Sequence, residues 1–212
     1  MRNPHKSTFF FSVAAIFIFL DQLTKFLVKG GNLFGFNVEG MKIGQSFELI
    51  GSFVQITYIE NEGMAFGISF GAAKILLSLF SVVASIFLAV YLSRLQGKHF
   101  FVRVGLSFIL AGAVGNLIDR IFYGVFYGES PLFYGRVVDF VQVDIPDISI
   151  MGVHYTHWPI FNIADMCVTV GVIILLIFHN HIPLLNDAFN RKVKPVQNEK
   201  TTEFAAPLSD EQ

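Results

Sequence analysis

Residues 101–122 read FVRVGLSFILAGAVGNLIDRIF. Apolar residues dominate until Asn116, Asp119 and Arg120, which crowd one end. A helix needs roughly 20 mostly apolar residues to cross the hydrocarbon core of a bilayer. The stretch therefore predicts a membrane span with its polar groups near one surface. Its Gly112-Ala113-Val114-Gly115 run suits close helix packing better than a phosphate cradle. Asn116 lies three residues before Asp119 and four before Arg120, so the three share a helix face.

Three more stretches qualify as spans: 9–28, 72–92 (interrupted only by Lys74 near its start) and 160–178. Composition agrees. Charged residues make up 15% of the 212 and the mean hydropathy is +0.59, whereas a soluble domain carries about 25% charged residues. Disorder, collagen and coiled coil are excluded, and the single Cys167 leaves no disulfide within the chain. A net charge of −1 argues against nucleic acid as a partner. The fold class is an all-α membrane protein of four transmembrane helices. Residues 1–191 form its one domain, and 192–212 a polar tail, with Pro195 and Pro207, expected to be disordered.

Arg2 and Lys6 precede the first apolar run in the manner of a cleavable leader, but Asp21-Gln22-Leu23-Thr24-Lys25-Phe26 follows it instead of a small-residue cleavage site. The first helix is expected to be retained. Cytoplasmic flanks carry the excess of Lys and Arg. With four spans, the side bearing both termini holds nine: Arg2, Lys6, Arg94, Lys98, Arg103, Arg191, Lys192, Lys194 and Lys200. The other side holds three, Lys29, Lys42 and Arg136. Both termini are thus expected in the cytoplasm. The first outer segment suggests a small two-stranded β unit over 46–50 and 53–59; the second reads as loop with a short strand at 136–143.

On this topology Asp21, Gln22, Thr24 and Lys25 of the first helix, Asn116, Asp119 and Arg120 of the third, and Asn162 and Asp165 of the fourth all lie near the outer face. Ionisable groups inside spans are functional candidates by default. Asp139, in the outer segment before the fourth helix, is within reach of the same cluster. The structural alternatives are ion pairs Asp21–Lys25 and Asp119–Arg120 that fix packing, snorkelling of Lys25 and Arg120, and Asn116 and Asn162 as interhelical hydrogen-bond glue. Asp165 resists such a reading, having no basic neighbour on its own helix. Asp144 and Asp147 read as solvated acids. No zinc-type motif is present, the His154/His157 pair lies in a loop, and there is no serine elbow, so neither a metal nor any other cofactor is implied.

Five blocks occur in order: Asp21-Gln22-Leu23-Thr24-Lys25, Asn61-Glu62-Gly63-Met64-Ala65-Phe66-Gly67, Gly112-Ala113-Val114-Gly115-Asn116-Leu117-Ile118-Asp119-Arg120, Val137-Val138-Asp139-Phe140 and Phe161-Asn162-Ile163-Ala164-Asp165. Together they resemble the motif set of the bacterial lipoprotein signal peptidases, or signal peptidase II, over about residues 12–174. The resemblance implies an aspartic peptidase of the bacterial cytoplasmic membrane; the depth of the polar residues places its site near the outer face, and a monomer is expected. Its substrates would be prolipoproteins carrying diacylglycerol on a cysteine, cut N-terminal to that cysteine. It also implies inhibition by globomycin-type cyclic peptides. Asp139 and Asp165 match the catalytic pair. Asp21, Lys25, Asn61, Gly115, Asn116, Asp119, Arg120, Asn162 and Ala164 match the supporting shell. Two carboxylates at close range share a proton, which suits hydrolysis without metal or covalent intermediate. Asn162 is expected to orient Asp165, with Asn61, Asn116 and Arg120 positioning substrate. Two features depart from the family pattern, a longer 121–136 link and an extended tail. The competing reading is a small transporter or ion-pathway subunit; it is disfavoured because the inner halves of the spans are apolar.

Overall fold

The computed structural model describes residues 7–33, 35–63, 73–150 and 153–189. Arg2 and Lys6, positions 64–67 of the second motif, the side chain of His154 and the tail 192–212 lie outside the described residues. Helix α1 is Ser7–Lys29, and the hairpin of β1 (Gly31–Leu33) and β2 (Phe36–Val38) follows it. Then come β3 (Ser46–Ile50), β4 (Val54–Asn61), α2 (Ala73–Arg94) and α3 (Phe100–Ile118). α3 runs on through a π turn, Asp119–Tyr123, into the single turn α4 (Gly124–Phe126). Strands β5 (Val137–Ile150) and β6 (Val153–His157) precede α5 (Ile163–Ile177), a 3-10 turn at His179–His181 and α6 (Leu185–Phe189).

α3 is the central helix, packed against α1, α2 and α5. α1, α2 and the continuous Phe100–Phe126 segment are long and apolar enough to cross a membrane. Their outward faces are apolar, with Ile16, Phe19, Phe80, Val83 and Ile86 exposed, as suits contact with lipid. The fourth apolar stretch forms a helix later than 160–178 predicts. Phe161 bridges to Val141 of the sheet, Asn162 is an extended N-cap, and α5 has only 15 residues. At 1.5 Å per residue it is about 22 Å long, short of the roughly 30 Å hydrocarbon core. The turn it gives up is the one that carries Asn162.

The β structure exceeds the expected two-stranded unit. Strands β3-β4-β5-β6 form one antiparallel sheet, with β1-β2 as a separate hairpin. The second outer segment contributes a 14-residue strand where a short one was expected. β5 pairs with β4 through Asn61↔Val137, Ile59↔Asp139 and Val54↔Val143. A small core of Val28, Tyr58, Tyr123, Val138 and Phe140 joins the sheet to one end of the helices. A larger one built on Phe10, Leu92, Leu95, Val102 and Leu106 fills the other end. Arg103, counted above among the cations on the side of the termini, lies buried inside α3 with its guanidinium 3.8 Å from the Phe10 ring centre.

Close approach of α3 to α5 rests on glycine. A Cβ on Gly112 would run into the Ala164 carbonyl oxygen and come within 2.6 Å of Val168 Cγ2; one on Gly115 would lie 2.7 Å from Asp21 Oδ2 and 3.1 Å from Ala164 Cβ. Gly112→Ala is therefore expected to force the helices apart, at a cost of about 1–3 kcal/mol. Thermal unfolding in detergent would register this as a lower Tm than wild type.

Candidate active site

The sheet-side ends of α1 and α3, the first turn of α5 and the start of β5 meet at one place. Lys25, fully buried, sits at its floor. Its ammonium lies 2.9 Å from Asp21 Oδ2, one turn back on α1, and 2.7 Å from Asp119 Oδ2 on the π turn. Lys25 thus neither snorkels nor stops at its local partner, and Asp119 pairs with it instead of with Arg120. The third hydrogen bond of the ammonium, 2.9 Å, goes to Asn116 Oδ1.

Each carboxylate that flanks Lys25 also accepts a backbone N–H. Asp21 Oδ1 takes that of Ala164 at 2.8 Å, in the first turn of α5, where a negative charge is favoured. Asp119 Oδ2 takes that of Val138 at 3.3 Å. Ala164 and Val138 are the residues immediately before Asp165 and Asp139. Gln22 ties the two acids together, its Nε2 lying 3.1 Å from Asp21 Oδ2 and 2.9 Å from Asp119 Oδ1. Tyr123 donates to Gln22 Oε1 at 3.1 Å. The π turn brings both Asp119 and Tyr123 to the buried face while leaving Phe122 exposed.

Above this floor lie Asp139 and Asp165. An ammonium can only donate, so Lys25 fixes which end of the Asn116 amide faces it. The Asn116 Nδ2 then points to Asp165 Oδ1, 2.8 Å away. Asn162 forms a capping box with Asp165: its Oδ1 accepts the Asp165 N–H at 3.0 Å, and its own N–H reaches Asp165 Oδ2 at 3.2 Å. That leaves the Asn162 Nδ2 for Asp139 Oδ1 at 2.6 Å, and for Asn116 Oδ1 at 3.0 Å. Asn162 thus addresses both acids, Asp165 through its backbone and Asp139 through its side chain. Asn61 Nδ2 approaches the second Asp139 oxygen at 3.1 Å. Burial raises the Asp139 carboxyl most, the nearby Asp165 charge adds to it, and the Asn61 and Asn162 amides oppose both; the outcome is a pKa of about 7.

Every residue expected at the site is within this cluster or lines it. Gly115 and Ala164 supply the close α3–α5 contact. Arg120 is half-buried; its Nη1 lies 3.4 Å from the Asn116 carbonyl oxygen, and it feels the charges of Asp119, Asp165 and Asp139. Sequence reasoning noted Gln22 as polar but gave it no place in the site, and missed Tyr123 altogether. The only signal for either was a polar tip at the expected depth. An open groove of about 440 Å³ adjoins Asp165, lined by Trp158, Phe161, Met166, Thr169 and Val170. Among the described residues no group of three or more His, Cys, Asp or Glu side chains is arranged to hold a metal ion.

A family model described as signal peptidase (SPase) II matches residues 13–180. The chain belongs to the signal peptidase II family. A lipoprotein signal peptidase of Chlorobium phaeobacteroides (strain BS1) is 39% identical over 172 residues, 81% of this chain and 95% of that protein. Those of Porphyromonas gingivalis (strain W83) and Staphylococcus aureus (strain Newman) are 35% and 34% identical, covering 94% and 87% of this chain and 94% and 93% of theirs. A bacterial membrane enzyme solved by the in meso method at 1.9 Å is 32% identical, with a TM-score of 0.59 over 81% of this chain and 92% of its own. A second, solved at 2.3 Å, is 31% identical, with a TM-score of 0.57 over 93% and 99%. The chain is accordingly a multi-pass membrane peptidase of this family.

Removing one member of a buried ion pair leaves its partner uncompensated, typically at 3–5 kcal/mol. Lys25→Met strands two buried carboxylates and frees the Asn116 amide to turn over. A loss of about 3–5 kcal/mol is expected, read as a lower denaturation midpoint in detergent, together with loss of peptidase activity.

Proposed function

We propose that Asp139 and Asp165 are the catalytic pair of an aspartic endopeptidase that removes the signal peptide from diacylglyceryl-modified prolipoproteins, cutting N-terminal to the lipidated cysteine. Family membership and the lipoprotein signal peptidases among its relatives support the substrate. The observation that carries the mechanism is the hydrogen-bonded cluster in which Asn162 and Asn116 join the two carboxylates.

Two such acids cannot both ionise cheaply. Asp139, buried and pushed up to about 7, keeps the shared proton near neutrality, and Asp165 takes the part of the base. Asp165 takes a proton from water as its oxygen attacks the scissile carbonyl, and Asp139 donates to the carbonyl oxygen. Collapse of the resulting diol breaks the C–N bond. Asp165 gives the proton it took to the leaving amine, which becomes the new N-terminus on the lipidated cysteine, while a diol hydroxyl returns a proton to Asp139 and the signal peptide leaves with a new C-terminal carboxyl. The amides of Asn61, Asn116 and Asn162 need not move during these steps, which is the advantage of fixed dipoles. The groove beside Asp165 offers apolar walls to an acyl chain or an apolar signal-peptide side chain, and it is where a globomycin-type cyclic peptide would compete.

With Arg103 set aside, Lys and Arg still favour the side of the termini by eight to three. This supports four spans with both ends in the cytoplasm and the sheet, with the active site, at the outer face of the bacterial cytoplasmic membrane. A single chain supplies all the named groups, so a monomer suffices. Against a transport pathway stands the apolar cluster of Phe10, Leu92, Leu95, Val102 and Leu106 at the far end of the bundle.

In nanodiscs, wild type is expected to cleave a lipidated prolipoprotein and to spare its unlipidated form. Asp139→Asn and Asp165→Asn should each lower the rate by at least about a hundredfold, the scale of a lost general acid or base. Cleavage surviving both substitutions overturns the pair.

The pH profile is a separate test. Activity needs the shared proton, so it falls as pH rises through about 7. The Asn61 amide favours ionised Asp139. A hydrogen bond to a charged group is worth about 1.5 kcal/mol, or about one pKa unit. Asn61→Ala therefore moves the alkaline limb up by about one unit.

A further inference from the structure

Asn61 is the one amide of the cluster that comes from the sheet, at the last position of β4. Its aim depends on how that strand end is held. Oδ1 of Asn61 accepts the Gly63 N–H at 2.9 Å, an Asx-type turn that leaves Nδ2 for Asp139. The flanking side chains, Glu60 and Glu62, alternate to the opposite face. There they meet a chain of ion pairs separate from the catalytic cluster.

Arg136, the residue before β5, binds both: Nη1 lies 3.2 Å from Glu60 Oε2 and Nε 3.0 Å from Glu62 Oε1. Glu60 is buried and also accepts from Lys29 and from the Tyr58 hydroxyl, the latter at 2.6 Å. Glu62 continues to Lys74 at the start of α2, 2.7 Å away. Lys29 reaches Glu129 of the 121–136 link at 2.8 Å. Burial alone would raise the Glu60 carboxyl, but hydrogen bonds from Lys29 and Tyr58 overcome it, and Glu60 is held below its ordinary range as a full negative charge. Arg136 thus faces two carboxylates one strand pleat either side of Asn61. The backbone register it supports is Asn61↔Val137 and Ile59↔Asp139, the pairing that puts Asn61 beside the acid.

We infer that Arg136 is a positioning residue for the peptidase reaction: by bridging Glu60 and Glu62 it locks the end of β4 to the start of β5 and so aims the Asn61 amide at Asp139. Arg136 touches neither acid. Its own side chain is 45% exposed, so its ion pairs add little to global stability. Their consequence is the placement of one donor. The inference rests on the reading of Asp139 as half of the catalytic pair.

The charged groups facing Asp139 are Asp165 on α5, Lys25 on α1, and Arg120 and Asp119 on the π turn. None is changed by a substitution at Arg136. The test is the pH dependence of cleavage of a lipidated prolipoprotein in nanodiscs by wild type, Arg136→Gln, Arg136→Lys, Asn61→Ala, the Arg136→Gln/Asn61→Ala double variant and Asp139→Asn. Loosening the Asn61 hydrogen bond lets Asp139 hold its proton to higher pH. Arg136→Gln is expected to raise the alkaline limb by about half a unit, part of the shift from Asn61→Ala. It should do so with Tm unchanged. Arg136→Lys, keeping one charge but not the two-armed fork, should recover only part of the wild-type position. In the Asn61→Ala background Arg136→Gln should add nothing. A limb unmoved by Arg136→Gln overturns the inference. So does an equal shift with and without Asn61, which would mark a direct charge effect. Loss of cleavage in Asp139→Asn keeps the catalytic pair standing whatever Arg136 does, whereas cleavage surviving it overturns both.

Discussion

The buried ammonium of Lys25 is the constraint on which the rest depends. It faces two carboxylates from different helices, and each accepts a hydrogen bond from the backbone N–H just before a candidate catalytic acid, Asp21 from Ala164 and Asp119 from Val138. Desolvating three charges is expensive, and such a triad is a weak source of net stability. What it supplies is register. The start of α5 and the start of β5 are referenced to one point, so Asp165 and Asp139 inherit their separation from Lys25 and not from any direct contact between them.

The same cation controls a neutral group. Because Lys25 accepts nothing, Asn116 must turn its oxygen inward and its nitrogen towards Asp165, and Asn162 completes the set by splitting backbone and side chain between the two acids. A buried polar network is favourable only when fully satisfied. Here satisfaction and the proposed function coincide, since the donors left over after the structural bonds are made are those aimed at the two candidate acids. Gly112 and Gly115 allow it, because a Cβ at either position would hold α5 away from α3.

Much of the bundle was readable from local pattern. The first two spans, expected at 9–28 and 72–92, appear as Ser7–Lys29 and Ala73–Arg94. Apolar length alone defines them. The third and fourth deviate where polar residues enter. The Asp119–Tyr123 π turn and the late start of α5 at Ile163 both answer to side-chain partners that a hydropathy window does not see. β5 was underread because Pro146 and its several acids resemble loop. Its pairing with β4 ends at Val143 and its register with β6 shifts between Asp144 and Ile148, so the proline sits where the ladder is already interrupted.

By itself the sequence determined a membrane chain whose span carboxylates and amides gather at one end, the helix faces they share, and five motif blocks that point to a peptidase of the signal peptidase II family. These follow from short-range facts: span length, the three- and four-residue spacing of a helix, and residue order. Only the tertiary structure decided the partners. Asp119 reaches back to Lys25 and not to its neighbour Arg120, Gln22 and Tyr123 join the floor of the site, and Asn61 arrives from a strand held by Arg136. Ionic and hydrogen bonds select partners by distance and direction in space. Residues more than 70 positions apart become neighbours only when helices and sheet have packed.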